Sequence, residues 1–357
     1  TNGDTPLHLY ISNISEESKE DEHLTRNTQR IIEHLMGDED AVEAGEQASP
    51  VVMVNHEKLT PLHCCAVFDA PPQVTELIMS SPLSIIASAM PNMFGATALH
   101  LGCAQQSVGH DISNVVALGT PEAAVVEDRL KRTPLHVAAQ NLHATDQLIK
   151  TLVDLNPEAT STRTQRGHLP LHLAAQSKAN ESVIKALIKA YPRATEARNK
   201  SSNTPLHDAA KYRASLGVVK LLLDAYPDAV YIQNQYGNLP LHCATAYQAP
   251  SDVVRLLLDA WPDGAAIQNR NQDAPLHYAA AYTTTAAAVT PLIEAAPAAV
   301  LLLNQSGQSP IDRAKMNNAP EEIIELLEES ADEWTRKAAG GGGWGAFSAE
   351  FDEGFGD

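Results

Sequence analysis

The chain has 357 residues, 44 acidic and 25 basic, for a formal charge of −19. The excess sits at the ends: residues 1–60 carry 13 acids against 4 bases, residues 314–357 carry 11 against 3, and residues 61–313 are close to neutral at 20 against 18. Nucleic acid is bound through clustered positive charge, so this distribution argues against it as a partner. Cys64, Cys65, Cys103 and Cys243 include no C-x-x-C pair, which removes dithiol redox and zinc-ribbon chemistry. Buried free thiols fit a reducing, cytoplasmic location.

Leu-His, usually preceded by proline, recurs along the chain at His8, His63, His100, His136, His172, His207, His242 and His277. The steps are 55, 37, 36, 36, 35, 35 and 35 residues, with a further 35 to a degenerate copy at Asp312. Self-similarity at this period marks a stacked repeat array rather than one globule. Residues 1–60 read as an interrupted first repeat. Its opening helix is predicted to end near Asn13. An acidic insertion follows at Glu16–Glu22, then a second helix from about Thr25 to Met36 and a polar stretch over 37–49. The chain opens at Thr1, a few residues before the repeat signature at Thr5, which leaves an upstream domain open.

Residues 61–311 are the regular repeats. In Pro205–Leu239, Thr204 stands before Pro205 as a helix N-cap, and proline suits the first helical position because its missing N–H has no partner there. A short helix through Ala209-Ala210, a polar loop and an apolar helix around Val218–Leu223 come next, and Pro227 is predicted to end the second helix. Asn234-Gln235-Tyr236-Gly237 makes the turn into the next copy. Neither helix can bury its apolar face alone, so neighbours must stack. Aligned by 35, Pro291 falls inside a second helix. A kink there, or a late start with Thr290 as cap, is expected. Residues 278–303 carry one charge, Glu294, but their repeat register and prolines make them a repeat and not a membrane span.

Residues 312–338 read as a C-terminal capping repeat, whose helix from Ala319 to Glu329 pairs an apolar face with many carboxylates. Residues 339–357 are a Gly-rich linker and an acidic, aromatic tail holding Trp344, Phe347, Phe351 and Phe355.

Thr133-Pro134-Leu135-His136-Val137-Ala138-Ala139 and Thr204-Pro205-Leu206-His207-Asp208-Ala209-Ala210 resemble the T-P-L-H-x-A-A signature of ankyrin repeats. The units are slightly longer than usual, and their phrasing is similar to a variant found in diatoms and related algae. The resemblance implies an all-α solenoid of about nine helix-loop-helix-hairpin units with a C-terminal capping helix and flexible tail. It further implies that the motif histidines bond the adjoining turn. One imidazole per layer, about 10 Å from the next, is too sparse for zinc, whose ligands lie about 2.1 Å from the ion. No nucleophile elbow, phosphate-binding loop or dinucleotide fingerprint is present. No enzymatic activity, cofactor or metal is expected.

The resemblance places binding on a concave face made of hairpin tips and the exposed ends of first helices. There the second residue after the Ala-Ala pair is Tyr212, Tyr247 and Tyr282 in three successive repeats, with Phe68 at the same place upstream. Hairpin and helix-end cations flank them: Arg166, Arg198, Lys200, Arg213 and Arg270. The expected function is a protein-interaction scaffold for an acidic, extended protein partner. Two alternatives stay open. Trp344-Gly345-Ala346-Phe347 resembles the W-x-x-F peptides that bind adaptor appendage domains, which would make the chain a trafficking adaptor. It could also be the repeat region of a larger enzyme or channel.

Overall fold

Threonine stands at the start of five repeats, at Thr5, Thr60, Thr97, Thr133 and Thr204, where its hydroxyl answers helical N–H groups that have no other acceptor. The computed structural model describes residues 3–17, 32, 49–105, 115, 118–283 and 285–340. The acidic insertion after Glu17, the helix expected over Thr25–Met36 (Ile32 apart) and the tail with Trp344, Phe347, Phe351 and Phe355 lie outside them. Among the described residues every element is a helix or turn. The chain divides into two compact units, Thr1–Lys200 and Ser201–Asp357.

In the first unit the inner helices are Pro61–Val67, Ala98–Gln105, Pro134–Gln140 and Pro170–Gln176. In the second they are Pro205–Lys211, Pro240–Ala246, Pro275–Tyr282 and Pro310–Met316. Within each unit, consecutive inner helices pack on one another. Outer helices such as Leu216–Ala225 and Ser251–Ala260 present an apolar stripe, Val218, Val219 and Leu222 in the first of these, to the same core. Each fully buried leucine contributes roughly 1.5–3 kcal/mol relative to exposure. Alanines 209, 210, 244, 279 and 280 are wholly buried where inner helices meet, so a larger side chain there would force the layers apart.

The buried motif histidines join one layer to the next. The Thr204 N–H donates to His207 Nδ1 (3.3 Å), so Nδ1 is an acceptor and the proton resides on Nε2. Nε2 then donates to the Asn238 carbonyl of the following repeat (3.0 Å). His242 reaches the Asp273 carbonyl (3.0 Å) and His277 that of Gln308 (3.1 Å). In the first unit His8 meets Leu59 (2.8 Å), His63 meets Ala96 (3.0 Å), His100 meets Arg132 (2.9 Å) and His136 meets His168 (3.2 Å). In each case the acceptor is four residues before the next copy of the motif position. The His8–Leu59 bond spans the long first step, as an insertion inside one repeat requires. At the degenerate copy, Asp312 Oδ2 accepts from the Ser309 N–H (2.8 Å) but has no proton to pass onward. The long helix Glu321–Gly340 comes after it, in place of another hairpin.

Hairpins are built on an Asx turn. Asn234 Oδ1 accepts from the N–H groups of Tyr236 (2.9 Å) and Asn238 (3.1 Å), and Asn55, Asn92, Asp128, Asn269 and Asn304 repeat the arrangement. The amide end bonds sideways. In the second unit Asn234 donates to Asn203 Oδ1 (2.8 Å), Asn269 to Asn238 Oδ1 (2.7 Å) and Asn304 to Asp273 Oδ1 (2.9 Å). One backbone bond per layer also links the tips, as from the Arg270 N–H to the Tyr236 carbonyl (3.1 Å). This contact is close. A Cβ on Gly237, whose φ is +76°, would stand 2.8 Å from the Arg270 nitrogen, whereas Gly307, also left-handed, faces open space.

Pro227 follows directly on the end of its helix, as expected, and it and Pro157, Pro192, Pro262 and Pro297 each open a 3-10 turn, their fixed φ suiting its first position. Three sequence expectations are corrected. The first helix runs Pro6–Glu17, past Asn13, since no proline or glycine follows to stop it. The capping helix continues beyond Glu329 to Gly340. The helix holding Pro291 begins at Ala286 and continues to Ala295, so the late start at Thr290 is wrong. Burial of Val289, Pro291 and Leu292 holds that turn helical against the missing N–H, and Thr290 Oγ1 donates to the Ala286 carbonyl (3.0 Å).

Removing one layer bond should be measurable. His207→Ala strands the Thr204 N–H and the Asn238 carbonyl, and urea denaturation should show a loss of roughly 1–3 kcal/mol. An unchanged midpoint would mean the bond contributes nothing. Gly237→Ala should destabilise more than Gly307→Ala, because both positions are strained but only the first meets a neighbouring backbone; equal melting temperatures would contradict this.

Burial also pushes the histidines towards neutrality. His63, His136 and His242 are lowered to about 4, and His100 and His277 are lowered, in every case chiefly by desolvation. The unfolded chain takes up protons near the ordinary value of 6.5 that the folded chain refuses. Stability present above pH 6.5 should therefore fall as pH drops from about 6.5 to about 4. A thermal midpoint that stays flat across that window would show the imidazoles to be free to charge.

Candidate partner-binding site

A binding face needs exposed side chains on a rigid backbone, and the inner-helix ends supply one. Tyr212 and Tyr247 are C-caps followed by a left-handed residue, Arg213 (φ +59°) and Gln248 (+55°), whereas Tyr282 is the last residue of its helix, with Thr283 as C-cap. That reversal leaves the C-cap side chain projecting outwards. Tyr212, Tyr247 and Tyr282 are 41%, 48% and 40% exposed, and Phe68 in the first unit is 39% exposed. They do not pack between layers.

In the second unit the tyrosines are not independent. Lys211 Nζ lies 5.4 Å from the Tyr212 ring centre and 5.1 Å from that of Tyr247, bridging two repeats by cation–π attraction. Burial lowers the Lys211 ammonium, but the Tyr212 and Tyr247 hydroxyls outweigh it, and its net shift is upwards. The Tyr282 ring stacks on Tyr278 at 6.4 Å, and the Tyr278 hydroxyl accepts from Asn269 Nδ2 (2.9 Å). The Tyr278 hydroxyl is pushed up, first by burial. Arg213 and Arg270 are exposed beside this ladder in sequence, at a helix end and a hairpin tip.

Arg166, Arg198 and Lys200 belong to the first unit, where all three are exposed on hairpins. Arg198 and Lys200 line a cleft of about 390 Å³ together with Lys131 and Arg163. Arg166 is not among the lining residues; its carbonyl accepts the Lys200 N–H (3.1 Å). One hairpin cation is spoken for: Arg132 Nε pairs with Asp128 Oδ2 at 2.7 Å.

Three features were not read from the sequence. Lys211 was visible as a helix-end cation, but its position over two rings depends on the geometry of the layers. Met93, Phe94 and Leu130 are exposed on hairpin tips of the first unit, the last two at 61% and 52%. Their signal was available, since each stands one or two residues after a hairpin Asn or Asp. The asparagine rungs were hidden because only the turn-forming half of each side chain is local.

No group of histidine, cysteine or carboxylate side chains suited to a metal occurs among the described residues. The four cysteines are buried and unbridged. Burial pushes Cys64, Cys65 and Cys243 up to about 12 and raises Cys103 as well, which leaves them poor nucleophiles. No helix among the described residues is long and apolar enough to cross a membrane.

The histidine bonds, paired helices and hairpins define a stacked helical repeat. The family profile for ankyrin repeats, in three copies, matches residues 116–195, 135–231 and 180–271. The chain carries ankyrin repeats over residues 116–271. Repeats of this family mediate protein–protein interaction and are typically non-enzymatic. None of the curated proteins compared with it matches.

Proposed function

We propose that the chain is a non-enzymatic scaffold that binds an acidic, extended protein segment on the hairpin tips and inner-helix ends of its repeats. The observation that carries this reading is the exposure of Tyr212, Tyr247 and Tyr282 at one repeat position. Tyrosine offers rigid apolar area with a polar tip, the combination enriched at interface hot spots. Lys211, held over two of the rings, adds positive charge within the ladder, and Arg213 and Arg270 add more on the second unit. On the first unit Arg166, Arg198 and Lys200 provide the corresponding cations. The face is supported by buried, hydrogen-bonded backbone, so little order must be created on binding. Four buried free thiols favour a reducing, intracellular setting.

Partners captured by the intact chain can be identified by mass spectrometry and each retested by fluorescence anisotropy. Tyr247→Ala should weaken a genuine partner about tenfold or more, as truncation of a central interface tyrosine does. Arg270→Ala should change affinity less and reduce its salt dependence, as an exposed rim charge does. A triple alanine variant of the tyrosines that folds and binds unchanged would overturn the reading.

A further inference from the structure

The cleft on the first unit has a chemistry that the tyrosine ladder lacks. Its charged lining residues are Lys131, Arg163, Arg198 and Lys200, with no carboxylate among the lining side chains. Its volume of about 390 Å³ lies at the small end of the range of roughly 300–1,000 Å³ for ligand sites. Three successive hairpins form it, and the close approach of their tips sets its floor. A Cβ on Gly167 would lie 2.9 Å from the Lys200 nitrogen, so the backbone there admits only glycine without displacement. Arg163 is fixed in advance: its Nη1 donates to the Gly167 carbonyl (3.0 Å) and to the Arg198 carbonyl (2.8 Å). No ion pair among the described residues neutralises any of the four cations. Four positive charges around one small cleft repel one another, and a single carboxylate would answer only one of them.

Next to this cleft the surface becomes apolar. Leu130 precedes Lys131 on the same hairpin, and its carbonyl accepts the Gln165 N–H (2.8 Å) of the cleft's middle hairpin. Phe94 lies one layer further on, its carbonyl accepting the Arg129 N–H (3.1 Å). Both side chains are exposed. An extended strand advances about 3.3 Å per residue, so a layer of about 10 Å corresponds to three residues.

We propose that this cleft binds a phosphorylated serine or threonine of an extended polypeptide, with an apolar residue three positions away seated on Leu130. A phosphoryl group brings a charge of about −1.5 to −2 and three acceptor oxygens, which suits an arginine pair and two lysines better than a carboxylate does. The inference deepens the acidic-partner reading for the first unit and does not depend on the tyrosine ladder of the second.

The test uses the intact chain and fluorescein-labelled alanine-based peptides with a central phosphoserine, serine or glutamate and leucine three residues to either side. The phosphoserine peptide should bind at least about tenfold more tightly than either of the others, and steep salt dependence should accompany it. Arg198→Ala with Lys200→Ala should abolish that advantage. Both side chains are exposed and form no ion pair among the described residues, so folding should persist, which circular dichroism checks. Replacing the leucines by alanine should weaken binding severalfold. Equal binding of the glutamate and phosphoserine peptides would overturn the phosphoryl inference while leaving the acidic reading in place. Binding of none of the peptides would overturn both for this unit. Tighter binding to phosphoinositide vesicles than to the phosphopeptide would assign the cleft to a lipid surface instead and overturn the proposal.

Discussion

A single buried imidazole per layer joins local and long-range structure in this protein. Nδ1 completes the helix start three residues back, and Nε2 reaches a carbonyl some thirty residues onward. The two bonds require one tautomer, which a neutral ring in a dry site supplies and a charged one cannot. Helix initiation and layer spacing thus depend on the same side chain. Threonine at the N-cap helps but is not obligatory: Leu169, Leu239 and Ala274 stand there and the imidazole still accepts their N–H. Asp312 shows the converse, keeping the acceptor half where there is no further hairpin to hold.

Because the core and the rungs bear the layer spacing, hairpin tips and inner-helix ends are released from structural duty. Tip residues vary from Phe94 to Arg129 to Tyr236 while the Asx turn beneath them stays the same. The exposed surface is therefore where recognition chemistry can be written, as aromatic area with a bridging lysine in the second unit and as a cationic cleft beside apolar tips in the first. Buried thiols with raised pKa and imidazoles committed to structural bonds leave these side chains poorly suited to nucleophilic or acid–base work.

Much of this could be read from the residues. The spacing of Leu-His gave the repeat, and the place two residues beyond Ala-Ala gave the exposed tyrosines, because both are periodic and local. What escaped notice depends on neighbours distant in sequence. Nothing in the composition of Asn234 tells which amide it bonds across the layer, and Lys211 reaches Tyr247 only because two repeats stack. The cleft was half visible: Arg198 and Lys200 stood out as hairpin cations, but their convergence with Lys131 and Arg163 needs the fold. Of the two outcomes expected at Pro291, the late start failed because the proline's intrinsic penalty was weighed without the burial of Val289 and Leu292.

The imidazole tautomer can be observed directly by two-bond proton–nitrogen correlation spectroscopy of the intact chain labelled with nitrogen-15 on histidine. The motif rings should show a protonated Nε2 and an unprotonated, hydrogen-bonded Nδ1, and those of His63, His100, His136, His242 and His277 should keep their shifts from about pH 7.5 to about pH 5.5, because burial holds these five neutral below the ordinary value. Motif rings protonated on Nδ1, or titrating together near pH 6.5, would contradict the layer bond on which the stack is built.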